Sequence, residues 1–177
     1  KVSNLLVWVD TRNPEHYILD LNGNSAAYAG SVKEWKDRSG NGYNFVSQAF
    51  GSYPVLTADS MNGLPVVRLT ADNRTSGSLL RSELQLPRLN TSCLTYFVVF
   101  RLLEWGANGC NVVASVGGRE VGSCNPDTVA LGVDGTCKVP VQLNEYYLIS
   151  VTYDNASMTT TSYSLGSMIC IYVSANA

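Results

Sequence analysis

An all-β fold, two antiparallel sheets packed as a sandwich, is what the sequence predicts, and three observations predict it. No segment sustains a 3.6-residue apolar period, so little helix is expected beyond a turn or two. Apolar residues come instead in short runs or in strict alternation, rich in Val, Ile, Tyr and Phe. Turn residues punctuate the chain at intervals of about ten residues, the spacing of short strands joined by hairpins.

Taken in order, Asn4 to Val9 is an apolar run closed by Asp10 and reads as a strand buried on both faces. Residues 11 to 31 are polar and turn-rich. Within them Asp20, Asn22 and Asn24 place oxygen ligands two apart, as a calcium loop does. Gly23 falls one place early for that pattern and no acidic residue follows at the expected distance, so an Asx-turn without an ion stands as the alternative. Val32 to Lys36 leads as a strand into the corner Trp35-Lys36-Asp37-Arg38-Ser39-Gly40-Asn41-Gly42. There Gly40 and Gly42 permit positive φ, and Asp37, Ser39 and Asn41 can bond the backbone two residues on. Trp35 is expected as a core pin and Asp37 as a loop cap.

Phe45 and Val46 lie on the way back, Pro54 to Ala58 is a further strand, and Asn62-Gly63-Leu64-Pro65 turns into the β-branched run ending at Leu69. Cys93 to Leu103 is apolar on both sides and is expected at the centre of a sheet with both faces covered. Asn111 to Val116, Thr128 to Val133 and Lys138 to Gln142 read as a meander. Tyr147 to Tyr153 alternates, with Tyr147, Ile149, Val151 and Tyr153 on one face and a wet face opposite. Thr159 to Ser162 reads as a solvated loop, open to O-glycosylation, and Met168 to Ser174 as the last strand.

At 177 residues the chain is read as one domain, 1–177. Only 15% of its residues are charged, against roughly 25% in an average soluble protein, so the surface is largely neutral and polar. A net charge of −2 with no Lys/Arg cluster gives no footprint for nucleic acid. No apolar run reaches the ~20 residues that span a bilayer, so membrane insertion is not expected. Beginning at Lys1 rather than Met, the chain reads as a processed product or a segment of something longer.

Five cysteines and three sequons, at Asn73, Asn90 and Asn155, point to a secreted or extracellular setting with N-glycosylation at those asparagines. If 111–116 pairs antiparallel with 128–133, Cys110 and Cys137 lie at one end of that hairpin, and Cys93 and Cys124 at the other. Disulfides Cys110 to Cys137 and Cys93 to Cys124 are therefore expected, with Cys170 left over; the alternative is small buried thiols.

The segments Leu5-Leu6-Val7-Trp8-Val9-Asp10, Trp35 to Gly42, Asn62 to Leu69, Tyr96 to Phe100, Leu148 to Tyr153 and Ile171-Tyr172-Val173 occur in an order that resembles the concanavalin A-like jelly roll, in its laminin-G-like form. The resemblance covers most of the chain, and the corner at Trp35 is its most specific part. It implies a two-sheet antiparallel jelly-roll sandwich and an extracellular binding or adhesion role. Relatives that cleave β-glucans carry a Glu-x-Asp-x-(x)-Glu cluster on one strand. Here the fourteen acidic residues are scattered and His16 is the only histidine, so no enzymatic activity is expected. The family also continues for several strands beyond the position of Met168 to Ser174, whereas this chain stops at Ala177. The sandwich is thus expected to be cut from a longer protein, or open at its C-terminal edge and filled by another chain.

Two functions follow as expectations. One is a recognition module for glycans or for cell-surface and matrix partners, with Trp105 and Asn108 as contacts, because aromatic faces stack on sugar rings; Trp105 folded back on the core is the alternative. The other is a structural protomer that polymerises head-to-tail into a filament by strand exchange.

Overall fold

The computed structural model describes residues 5–50, 52–73, 76–82, 93–105, 111–116, 119–125, 128–132, 137–154, 159–164 and 167–173. Those residues are nearly all β, in antiparallel sheets, with one short helix. They divide into two compact units, Lys1–Pro87 and Arg88–Ala177.

In the first unit a single helical turn, α1 (Pro14–Tyr17), leads into β1 (Ile18–Leu19). It is followed by β2 (Glu34–Trp35), β3 (Phe45–Phe50), β4 (Val55–Met61), β5 (Leu64–Arg68), β6 (Ala71–Asn73) and β7 (Ser76–Ser82). One sheet runs β1-β2-β3-β7-β6, and β4 pairs with β5 in a second. The β4–β5 turn is Asn62-Gly63, both at positive φ, the conformation a two-residue hairpin turn requires. Pro65 falls at the break in the β4–β5 register, where its missing N–H costs no ladder bond.

Ile18, Ala26, Val32 and Leu56 form the core of this unit, with Trp35, Val67 and Leu80 packed against them. Three of these, Ile18, Val32 and Leu56, are fully buried, and each contributes about 1.5–3 kcal/mol of transfer free energy. Trp35 is the expected pin: beside this cluster its indole N–H donates to the Asp10 carbonyl at 2.9 Å.

The second unit contains β8 (Cys93–Arg101), β9 (Asn111–Val116), β10 (Arg119–Asn125), β11 (Thr128–Gly132) and β12 (Cys137–Pro140). It ends with β13 (Tyr146–Asp154), β14 (Thr159–Ser164) and β15 (Ser167–Val173). Two four-stranded sheets result, β12-β11-β10-β9 and β15-β14-β13-β8. Leu102, Val121, Val141, Ile149 and Val151 form one cluster drawn from both, which is the arrangement of a two-sheet sandwich. The alternation in β13 holds: Ile149 and Val151 are buried, and Tyr147 stacks on Phe100 directly opposite it, ring centroids 5.8 Å apart. On the other face Thr95 and Thr152, also opposite one another, share a hydrogen bond of 2.9 Å.

Four expectations are corrected. Residues 5–10 join no sheet, because backbone and side-chain groups of the corner take up their polar groups instead. β8 stands at the end of its sheet's order rather than the centre, and Phe97 is 71% and Val99 50% exposed. The neighbour of 111–116 is β10, not 128–133, since Arg119–Asn125 is itself a strand lying between them. Thr159–Ser164 is a strand between β13 and β15, not a loop, in keeping with the β preference of threonine.

Candidate functional site

The densest polar constellation among the described residues joins the corner to the segment that begins the chain. Gly40 and Gly42, at φ of 92° and 79°, fold residues 37–44 so that their polar groups converge. Asp37 is the hub. Its Oδ1 accepts the backbone N–H groups of Trp8 and Ser39, each at 2.9 Å, and its Oδ2 accepts that of Tyr43 at 3.1 Å. The Ser39 hydroxyl lies 2.7 Å from the same Oδ2 and 3.0 Å from the Leu6 carbonyl. Asn41 donates to the carbonyls of Leu5 and Leu6 at 2.9 Å, and the Arg38 N–H donates to the Trp8 carbonyl at 2.7 Å. Asn44 accepts the N–H of Asp37 and donates to Glu34. The corner thereby satisfies backbone groups of residues 5–8 that have no sheet partner.

A second carboxylate sits beside the first network. Asp10 accepts the Trp8 indole N–H at 2.6 Å, the Arg12 backbone N–H at 3.0 Å and both Nε and Nη2 of Arg12, and pairs with Arg38. Arg38 also lies over the Tyr17 ring, 4.2 Å from its centroid, and Arg12 lies 5.9 Å from the Trp8 ring. Partial burial alone would raise the Asp10 carboxyl, but the bonds from Arg12, Trp8 and Arg38 together hold it down at about 2. For Asp37 burial again pushes upward, and the bonds from Ser39, Trp8 and Tyr43 outweigh it, so its pKa is lowered.

Both carboxylates are thus ionised at neutral pH and engaged on both oxygens, which fits them for positioning rather than proton transfer. What they position is the Trp8 indole, 40% exposed, with its backbone held at N–H and carbonyl and its ring nitrogen tethered. Asp10 pairs with both guanidiniums, Arg12 and Arg38, while Asp37 is held by backbone and hydroxyl donors; the formal charges of these four side chains cancel.

Of the residues singled out from sequence, Trp105 is half-buried and packs against the Leu102–Val151 cluster, while Asn108 lies outside the described residues. In the Asp20 loop, Asp20 Oδ1 accepts the N–H groups of Asn22 and Asn24, both at 2.9 Å, the geometry of an Asx-turn. His16 is exposed on α1. Asn73 ends β6, whereas Asn90 and Asn155 lie outside the described residues, as does Cys110. Cys93, Cys124, Cys137 and Cys170 fall on β8, β10, β12 and β15.

Trp8 was legible only as an apolar residue in an apolar run. The signal that sets it apart is the spacing Trp8-x-Asp10-x-Arg12, which puts a carboxylate within reach of both the indole N–H and the guanidinium. No protein-family model, curated protein or solved structure matches the chain.

Proposed function

We propose that this chain is a non-enzymatic extracellular recognition module, a sandwich of the concanavalin A-like, laminin-G-like type, that binds glycans on cell-surface or matrix partners. The observation that carries the proposal is the Trp8 platform: an indole 40% exposed and held at three points, with the Arg12 guanidinium over the ring and the charges of Asp10, Asp37, Arg12 and Arg38 cancelling. A rigid aromatic loses little conformational freedom on binding and offers its face to a sugar ring. Balanced charge favours a neutral oligosaccharide over an anionic one. The low charge content and the sequons at Asn73, Asn90 and Asn155 suit the same setting. Asp20 is left out of the reading as a calcium ligand, because its Oδ1 is engaged by two backbone donors.

The test is an array of neutral and anionic glycans probed with the full chain and with Trp8→Ala. Retention of neutral glycans by the parent, weakened about tenfold or more in the variant, supports the proposal; tenfold corresponds to about 1.4 kcal/mol. A blank array, or equal retention by both proteins, overturns it.

A second reading, a protomer that self-assembles by strand exchange, is favoured by the exposure of Phe97 and Val99 on β8 together with Leu148 opposite Val99. Negative-stain microscopy of native material separates the two: filaments support the second reading, discrete monomers the first.

A further inference from the structure

We propose that residues 5–12 exchange between two copies of this chain at high protein concentration, each copy laying this strap on the corner of the other in a closed dimer. The strap joins no sheet, and its hydrogen bonds to the rest of the described residues run to one short segment, 35–41. Asn41 donates to the carbonyls of Leu5 and Leu6, and Ser39 to that of Leu6. Asp37 and the Arg38 backbone hold the N–H and carbonyl of Trp8. Trp35 donates to the Asp10 carbonyl, and the Arg38 guanidinium pairs with the Asp10 carboxylate and donates to the Arg12 carbonyl at 3.0 Å. None of residues 5–12 is buried, and none belongs to the described side chains packed on the core of Ile18, Ala26, Val32 and Leu56. A segment held mainly by polar contacts at the surface opens before the core does.

Each of these contacts can form unchanged between two copies, because strap and corner carry the same residues in both. What differs is the hinge. Asn13 joins the strap to α1 at φ 54° and ψ 58°, in the left-handed region, and its side chain makes no capping bond. An L residue is strained there, and the following Pro14 favours an extended Asn13. A closed monomer carries that strain; an exchanged pair with Asn13 extended does not. Short hinges under strain favour exchange of this kind. In the dimer each Trp8 is held by the corner of the other copy, so one particle carries two Trp8 platforms. The exchange uses other residues than the exposed face of β8, and it does not depend on glycan recognition.

The full chain is refolded from urea at rising protein concentration, without glycan, and its mass is read by size exclusion with light scattering. A dimer that grows with concentration is expected. Asn13→Gly, unstrained at positive φ, should lower the dimer-to-monomer ratio and Asn13→Val should raise it, each by about fivefold or more. Phe97→Lys should leave the dimer in place. Two charge reversals test the contact itself. Asp10→Arg and Arg38→Asp each set like charges against one another within a chain, whereas in an exchanged heterodimer of the two variants positions 10 and 38 carry opposite charges at both contacts. Refolded together, the two should give heterodimer, identified by native mass spectrometry, at about fivefold or more the dimer level of either alone. A chain that stays monomeric, a dimer insensitive to Asn13, a dimer lost in Phe97→Lys, or a mixture no richer in dimer than its two components overturns the proposal.

Discussion

The Asp37 carboxylate accepts the backbone N–H of Trp8 at 2.9 Å, tying together residues 29 apart in the chain. This contact makes the corner a clasp as well as a turn. The same carboxylate organises the corner through Ser39 and Tyr43, so the fold of the loop and the placement of Trp8 depend on one group.

Asp37→Ala should therefore destabilise the protein by about 2 kcal/mol, as expected when hydrogen bonds to a partly buried charged group are lost. Asp37→Asn, which keeps one acceptor oxygen, should lose about half as much. Urea unfolding of the two variants checks the order. Equal stability of Asp37→Ala and the parent would show that water replaces the carboxylate at no cost.

Asp10 makes the clasp pH-dependent. Its folded pKa of about 2 lies below the ordinary 3.8, so its contribution is fully present above about pH 4 and is lost as pH falls towards 2. The shift corresponds to at most about 2 kcal/mol, which solvent screening reduces towards 1. In equilibrium unfolding, the parent should exceed Asp10→Asn by about 1–2 kcal/mol at pH 7, and the gap should close between pH 4 and pH 2. A constant gap across that range would show that Asp10 acts through shape rather than charge.

Ala29 occupies a position built for glycine. The Gly30 N–H donates to the Ala27 carbonyl at 2.9 Å, closing a turn with Ala29 at φ 62°. Positive φ at the third residue of such a turn, with the second at negative φ, defines type II and strains an L side chain. The strain is held in place by the Ala29 N–H bond to Leu56. Ala29→Gly should stabilise the protein by about 0.5–1 kcal/mol after the added chain entropy is subtracted. Gly30→Ala should act in the opposite direction, because its Cβ would meet the Ala27 carbonyl oxygen at 2.8 Å. Thermal melts of the pair check both signs.

Those parts of the fold whose cause is local were legible in the sequence. The turn residues of the corner, the Asn62-Gly63 turn and the alternation of Tyr147 to Tyr153 each act over a few residues, and the structure keeps all three. Elements made by pairing were not legible. Arg119–Asn125 contains one branched apolar residue, Val121, and becomes a strand because β9 and β11 bond it on both sides. Thr159–Ser164 is equally polar and lies between β13 and β15. Leu5 to Asp10 shows the reverse case: an apolar run suggested a buried strand, but side-chain acceptors and donors 30 or more residues away hold it as an extended segment with Trp8 outward. The platform was hidden for that reason, since periodicity records how apolar a residue is and not which distant group claims its backbone.

The chain has three tryptophans, and their indole N–H signals in a ¹H–¹⁵N spectrum provide the most direct test of glycan recognition at Trp8. Neutral oligosaccharides retained on the array are titrated into the full chain, with the three signals assigned by substitution. With recognition at Trp8, its signal moves in proportion to saturation while those of Trp35 and Trp105, both packed against core clusters, stay in place. Movement of Trp105 alone, or binding that leaves all three signals unmoved, would contradict it.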